Sequence, residues 1–570
     1  MVGRTMLIVA SLASASAAWA QGSGAWSELA LPPAPGLSES GARVLRAHVA
    51  GGVDAELRWA DFRDLRGDLE RFYAGRRWEL AWTGGGRATD AAWQVAGVLA
   101  AAGRKGLDPL DYGGDEWEAR LASLERPGAG EPERVRADVA LTVSALRYAT
   151  DLAHGRIRPV PGTEILGRIQ PPEEGEHVLD RVAAVEAAVS GTDAEAAFEP
   201  LEPTLPGYRR ALALLPEVLA LAEAERPQAL PAPTEGPVAP ERHPAGAALA
   251  ARLRELGDLD GEEPPAADGE HCASPLAEAV ARFQGRHGLE ATGFVDEATV
   301  RALNVPLRRR AEQLALALER WRWIPRHLPA ASILVNVPEF RLRASNGRPL
   351  SMRVVVGQAY RWGTPVFASD LERVVFRPPW NVPPSIQRRE LVPKIEADRA
   401  FVARSNFEVL DASESAIPPL STPALLAGLR SGALRLRQRP GPESALGLVK
   451  FAFANEGLIY LHDTPATEFF SRSRRDFSHG CIRVEDPVAL AEWVLSGEPG
   501  WSQAAIRRAM NGTRTVEVPL TRSVPVLVGY FTAVVGEDRV PRFVEDIYGQ
   551  DGALATALDD ERTRRRGLHP

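Results

Sequence analysis

The sequence predicts a multidomain α+β protein: a helical first region, a three-helix module, and a mostly β C-terminal domain with a lid-like insertion. Three observations predict it. Apolar residues repeat at helical spacing as far as about Arg226. A proline-rich stretch without periodicity follows, up to Pro244. From Ser332 the apolar residues alternate with a period of two, which is typical of strands.

Composition narrows the possible partners. The 570 residues are 45% hydrophobic, with a net charge of −8, so the chain can build ordinary soluble cores. No basic run is long enough to indicate a nucleic-acid surface, and we expect a neutral or zwitterionic partner.

The first twenty residues are typical of an export signal. Arg4 is followed by a run of apolar and small residues, and Ala18-Trp19-Ala20 fits a cleavage site. No later stretch predicts a membrane span, so we expect a soluble protein outside the cytoplasm.

The helical elements divide the first half of the chain into four segments. A helical domain occupies 21–226, a semi-extended linker 227–244, a compact three-helix module 245–305, and a helix that returns to the first region 306–328. The apolar stripes behind this division include Leu65/Leu69/Phe72, Val135/Val139/Leu146, Leu249/Leu253/Leu256, Leu276/Val280/Phe283 and Leu314/Leu318/Trp321.

The β domain is predicted over 329–535, followed by a C-terminal extension at 536–570. Asn346-Gly347 separates two alternating runs and predicts a hairpin. Residues from about 383 to 432 are more helical and loop-like, so we interpret them as an insertion of the size that forms a lid.

The stretch FSHGCIRVEDP, Phe477–Pro487, contains the candidate nucleophile. Polar and cationic neighbours around Cys481 predict a lowered thiol pKa. His462 ends a strand-like run nineteen residues earlier and is the candidate base, with the Asp463 carbonyl able to orient its ring. A turn at Gly480 would point the amides of Gly480 and Cys481 at a substrate oxygen, and Arg483 would hold a carboxylate or carbonyl.

Other uses of the cysteines fit the spacing less well. Cys272 lies far away in a loop-like stretch, so we expect both thiols to be free. No C-x-x-C or H-x-x-x-H spacing supports a zinc site, and we expect no metal. A papain-like peptidase would place its cysteine before its histidine, the reverse of the order here.

Two motifs carry resemblances to known families. HDTPATEFFSRSRRDFSHGCIRVEDP, His462–Pro487, resembles the signature of the L,D-transpeptidases, a histidine followed by [S/T]-H-G-C-x-[R/N]. AVARFQGRHGLEATGFVDEATVRALN resembles the peptidoglycan-binding module of many wall enzymes. FRPPWNVPPSIQRRELVPKI, at 376–395, resembles the start of the insertion in large periplasmic members, whose order of helical scaffold, wall-binding module and catalytic domain is the same.

The resemblance implies a cysteine acyl-enzyme that needs no cofactor and that carbapenems, which acylate this family, would also acylate. A tetrapeptide stem would acylate the thiol and release D-alanine, and the side-chain amine of a diamino acid in a second stem would resolve the thioester into a 3→3 cross-link. Water, a free D-amino acid or a protein lysine are alternative acceptors, and a catalytically silent wall-binding scaffold is the alternative class. Protein partners stay open. The implied roles are nucleophile for Cys481, base for His462, shaping of the site for His479, Gly480 and Ser478, substrate contact for Arg483, and lining of the groove for Tyr460 and Trp380.

Overall fold

The computed structural model of the protein describes residues 37–565, apart from 56, 127–128, 158–179, 227–228, 261–273, 327 and 455–458. The predicted export signal and Cys272 lie outside these residues. Within the described part of the chain, no helix is both long enough and apolar enough to cross a bilayer. The observed order of helices and strands confirms the predicted α+β class.

The N-terminal region packs its helices around one central helix, α5, which is buried along most of its length. A hairpin of β1 (Thr83–Gly84) and β2 (Arg87–Ala88) lies beside it. The carboxylate of Asp138 on the central helix accepts hydrogen bonds from the amides of Ala81 and Trp82. The helices are α1 (Glu39–Gly51), α2 (Arg66–Gly75), α3 (Asp90–Ala100), α4 (Trp117–Leu124), α5 (Glu131–His154), α6 (Arg181–Ser190), α7 (Ala194–Phe198) and α8 (Pro206–Ala224).

The small module that follows has its own apolar core. It contains α9 (Gly246–Glu255), α10 (Pro275–Arg286) and α11 (Glu297–Leu303). Buried Gln284 holds the turn between the last two helices: its Nε2 donates to the Phe294 carbonyl at 2.7 Å and to Thr299 Oγ1 at 2.9 Å, and its Oε1 accepts from the Gly293 amide at 2.9 Å. The F-Q pair of the motif therefore has a structural role in the module.

We expect Gln284→Leu to destabilise this module by about 1–3 kcal/mol, because the substitution leaves buried polar groups without partners. Thermal unfolding of the full chain, followed by calorimetry, measures the effect. Gln503→Leu is the matched control, since Gln503 lies on an exposed part of its helix. Equal melting temperatures for the two variants would contradict the structural role of Gln284.

A helix links the module to the β domain and packs back against α8 of the N-terminal region. α12 (Leu307–Trp321) packs against α8, and side chains from both helices belong to the same core as the β-domain strands. The Trp321 ring stacks on Phe531 of the β domain, with 4.3 Å between ring centroids. The two helices therefore form a common wall between the N-terminal region and the β domain.

The β domain is a sheet closed into a barrel, from which a smaller sheet protrudes. Its strands are β3 (Ser332–Asn336), β4 (Arg341–Ser345), β5 (Leu350–Gly357), β6 (Phe367–Phe376), β7 (Trp380–Asn381), β8 (Phe407–Leu410), β9 (Arg435–Gln438), β10 (Val449–Phe453), β11 (Leu461–His462), β12 (Asp476–Ser478), β13 (Ile482–Val484) and β14 (Val516–Gly529). The large sheet has the order β12-β5-β13-β11-β10-β6-β14-β3-β4, and the pairing of β4 with β5 closes it.

The predicted insertion is a separate layer between the paired strands β6 and β10. Its sheet has the order β7-β9-β8, and apolar residues from 382 to 436 form its own core. Its helices are α13 (Pro384–Ile386), a π-helical turn (Gln387–Leu391), α14 (Val392–Ala397), α15 (Phe401–Arg404) and α16 (Thr422–Ser431).

The last segments of the chain join the β domain to the N-terminal region. Helices α17 (Pro487–Val494) and α18 (Gln503–Asn511) pack on the β-domain core. The hairpin of β15 (Ala533–Val535) and β16 (Pro541–Phe543) is followed by α19 (Gln550–Arg565). In α19, Arg562 pairs with Asp111 at 2.8 Å, and Arg565 pairs with Asp151 at 2.8 Å. Because both aspartates belong to the N-terminal region, the end of the described chain connects its two largest parts.

Candidate active site

Strand pairing brings the candidate base onto the same face of the sheet as the candidate nucleophile. β11 runs parallel to β13, with Leu461 opposite Ile482 and His462 opposite Arg483. The Ile482 amide donates to the Tyr460 carbonyl at 3.1 Å, which continues the pairing and sets Tyr460 beside Cys481. Since side chains alternate along a strand, residues 460 and 462 share one face of the sheet with residues 481 and 483.

His462 is held as a neutral base. It is 4% exposed, and its Nδ1 lies 2.6 Å from the Asp463 carbonyl oxygen, the contact that the sequence predicts. Because a carbonyl only accepts, Nδ1 carries the proton and Nε2 keeps a lone pair. Burial, followed by the charge of Arg483, lowers the pKa of His462 to about 3. The ring is therefore uncharged at neutral pH and able to take a proton.

The thiol of Cys481 is free and partly exposed. Burial raises its pKa, although hydrogen bonds with the main chain and side chain of Tyr460 and the charges of Lys450 and Arg483 act in the opposite direction. The prediction of a lowered thiol pKa is wrong, because desolvation by the surrounding strands outweighs the cations. The thiol thus needs a base to ionise it.

The loop before Cys481 is fixed by small side chains. Gly480 has a φ of 109°, which only glycine adopts without strain. Thr364 Oγ1 donates to the Gly480 carbonyl at 2.8 Å, and Ser478 Oγ donates to the Cys481 carbonyl at 2.5 Å. The Gly480 amide donates to Ser478 Oγ at 3.1 Å. The prediction that this amide points at a substrate oxygen is therefore wrong, because the tight turn directs it to a side chain of the loop itself.

Comparison with known proteins agrees with this geometry. Residues 330–516 match the YkuD family, described as the L,D-transpeptidase catalytic domain. The β domain of this chain belongs to the L,D-transpeptidase family. Residues 67–215 match a family described as "Scaffold domain", and residues 242–303 match one described as "Putative peptidoglycan binding domain".

A relative from Haemophilus influenzae, named "Putative L,D-transpeptidase", is 34% identical to this chain over 248 residues. The match covers 43% of this chain and 49% of the relative. The aligned part thus spans about half the length of the curated relative.

The insertion contacts the signature of the L,D-transpeptidase domain through His479. Its Nε2 lies 2.6 Å from Oε1 of Glu390, in the π-helical turn of the insertion. The His479 ring also lies 5.5 Å from the Trp362 ring, and the Arg389 guanidinium lies 5.9 Å from that same ring. His479 therefore faces the insertion, whereas His462 is buried on the paired strand β11.

We expect the insertion to act as a lid that the His479–Glu390 contact, or latch, already holds against the signature in the free protein, and to become more rigid when the thiol is acylated. Amide hydrogen exchange across 383–432 should slow on acylation by a carbapenem. Glu390→Ala should speed exchange there in the free protein, and Glu396→Ala, which breaks an exposed ion pair with Arg430 in the same insertion, should not. Unchanged exchange on acylation would make the insertion a fixed brace.

Two further predicted site residues, Arg483 and Trp380, lie in different parts of the domain. Arg483 lies beside His462, with its guanidinium 6.0 Å from the Phe469 ring. Trp380 lies in the insertion, where its ring is 6.2 Å from Phe407. Among the contacts of the described residues, none joins Trp380 to Cys481, so its place in a substrate groove stays a prediction.

Sequence reasoning missed two charged residues of the L,D-transpeptidase domain. Lys450 on β10 is paired with His462, and its Nζ lies 4.0 Å from the centre of the Tyr460 ring. A lysine inside the otherwise apolar run GLVKFAF was the available signal. Glu390 carried no comparable signal, since its approach to His479 depends on how the insertion folds back.

Proposed function

We propose that the protein is a peptidoglycan L,D-transpeptidase that forms 3→3 cross-links through an acyl-enzyme on Cys481. The pairing of β11 with β13 is the observation that carries the proposal. In this register a neutral, buried histidine shares one face of the sheet with the thiol, and the Arg483 cation on the same face supports binding of an anionic substrate. A family match over the same residues supports the reaction class.

In the first half-reaction, Nε2 of His462 takes the thiol proton, and Sγ bonds to the carbonyl carbon at the L-centre of the diamino acid in a tetrapeptide stem. The C–N bond to the terminal D-alanine breaks. D-alanine leaves as an amine after receiving that proton from His462. The product is a thioester on Cys481.

In the second half-reaction, the neutral side-chain amine of a second stem attacks the thioester carbon. The new C–N bond forms and the C–S bond breaks. The surplus proton of the amine passes through His462 to the sulfur, which restores the starting thiol. Both half-reactions balance without a nucleotide, because the acyl bond of the stem supplies the free energy.

Incubation of purified protein with disaccharide-tetrapeptides, followed by mass spectrometry, tests the proposal. We expect dimers that have lost one D-alanine. Tripeptide products alone would indicate an L,D-carboxypeptidase, in which water resolves the thioester. Unchanged substrate would indicate a non-catalytic wall-binding scaffold.

The same proposal places the protein in the periplasm after export through residues 1–20. Peptidoglycan stems occur outside the cytoplasm, and the domains at 242–303 and 330–516 match families named for peptidoglycan binding and transpeptidation. Cleavage after Ala20 is the corresponding prediction for the mature N-terminus.

We expect the module at 245–305 to hold the protein on the wall through an exposed aromatic side chain. Phe294 is 50% exposed, beside the turn that Gln284 fixes. Phe294→Ala should weaken binding to isolated sacculi several-fold, with turnover of soluble muropeptides unchanged. Leu221→Ala, at an apolar position 45% exposed on α8, is the matched control. Equal sacculus binding by both variants would give the module a structural role only.

A further inference from the structure

A groove of about 420 Å³ opens beside Tyr460 on the outer face of the barrel. Its walls come from β6, β10 and the residues just before β11, including Tyr460, which contacts Cys481, so one side of the groove lies near the thiol. The lining side chains that matter here are Glu372, Arg373, Lys450 and Tyr460.

A β-bulge gives this groove its charges. Along the pairing of β6 with β10, Arg373 lies opposite Ala452 and Leu371 lies opposite Phe453, which leaves Glu372 as an extra residue. Leu371 is fully buried, whereas Glu372 and Arg373 are exposed. Two consecutive charged side chains thus reach the same outer face, an effect that bulges commonly have near active sites.

The groove contains two basic side chains, Lys450 and Arg373. Lys450 lies over the Tyr460 ring. In the described part of the chain, neither Lys450 nor Arg373 takes part in an ion pair within 4.0 Å. Two basic side chains on neighbouring strands can bind one carboxylate together.

His462 has a cation on each side. The pairing register sets Lys450 on β10 and Arg483 on β13 directly opposite it. A reaction between two stems must hold two substrates around one base, each with its own approach. Arg483, on the strand of Cys481, suits the donor. Lys450 and Arg373, on the other side, suit a second substrate that reaches the same base.

We propose that this groove binds the carboxylate of the acceptor, and that the acceptor carries this carboxylate on the carbon bearing its reacting amine. The inference rests on the proposed transpeptidase function and deepens it. It selects a diamino acid with a zwitterionic side-chain end, or a free D-amino acid, over the ε-amine of a protein lysine, which has no such carboxylate. Lys450 and Arg373 hold the carboxylate, and the amine points along Tyr460 toward the thioester.

Two acceptors test the proposal: D-norleucine and D-norleucinamide, which lacks the carboxylate. Each is offered to full-length protein acylated by a tetrapeptide. Arg373→Gln should raise the apparent KM for D-norleucine about tenfold, change that for the amide less than twofold, and leave thioester formation unchanged. Arg373→Lys should restore part of the affinity for D-norleucine that Arg373→Gln loses.

Glu372→Gln should lower the KM for D-norleucine, because it removes a negative charge beside the carboxylate. Arg348→Gln, on an exposed hairpin outside the groove, is the control.

Slower thioester formation in Arg373→Gln would assign the groove to the donor and overturn the proposal, as would equal losses for both acceptors. If the unaltered protein forms no thioester, the proposed function fails instead. Binding of D-norleucine to the Cys481→Ala protein, measured by ligand-observed NMR with and without Arg373→Gln, then tests the groove by itself. Equal binding by the two proteins would overturn it.

Discussion

Cys481→Ala should abolish acylation, with the rest of the protein unchanged. The substitution keeps the Cβ and removes the only protein nucleophile of the proposed mechanism, so no thioester forms with a tetrapeptide or a carbapenem. The thiol is partly exposed, and its described hydrogen-bond partner is Tyr460. Its loss should therefore cost no more than about 1 kcal/mol of stability. Intact-mass spectrometry with a carbapenem measures the adduct.

Ser478→Ala is a useful companion to this variant. Ser478 bonds to both the Gly480 amide and the Cys481 carbonyl, so its loss should slow acylation but leave an adduct of the same mass. A carbapenem adduct on Cys481→Ala would overturn the assignment of the nucleophile. The circular dichroism spectra of both variants should match that of the unaltered protein, which separates chemistry from folding.

The parts of the fold that follow from local pattern could be predicted from the sequence. The helical stripes, the Asn346-Gly347 hairpin and the insertion between β segments all depend on residues close to each other in the chain. The contact of His462 with the Asp463 carbonyl is equally local. Each of these predictions concerns a short segment and its period.

The remaining features depend on pairing between distant segments. Nothing in the sequence of the C-terminal helix predicts that Arg562 and Arg565 pair with aspartates more than 400 positions earlier. Lys450 enters the site because β10 pairs with β11 in one particular register. The direction of the Cys481 pKa depends on how much protein covers the thiol, and neighbours in sequence do not reveal such burial.

Replacing the two histidines should separate their roles through pH. His462 is neutral at pH 7, because burial lowers its pKa to about 3. His462→Ala removes the base, so acylation should fall by about 10²–10⁴-fold at neutral pH. The reaction then depends on the thiolate fraction, which rises about tenfold per pH unit below the thiol pKa. Since burial raises that pKa, the rate of this variant should climb steeply from pH 7 to 9.5.

His479→Ala should behave differently, because His479 contacts Glu390 of the insertion. Its loss weakens the contact between the signature and the insertion but leaves the base His462 in place. The acylation rate should therefore fall, while its pH profile keeps the shape seen in the unaltered protein. Glu390→Gln should give the same shape, since it weakens the same contact from the other side. Stopped-flow acylation by a carbapenem across this pH range measures all three variants. If His479→Ala shows the steep alkaline recovery and His462→Ala does not, the two roles must be exchanged.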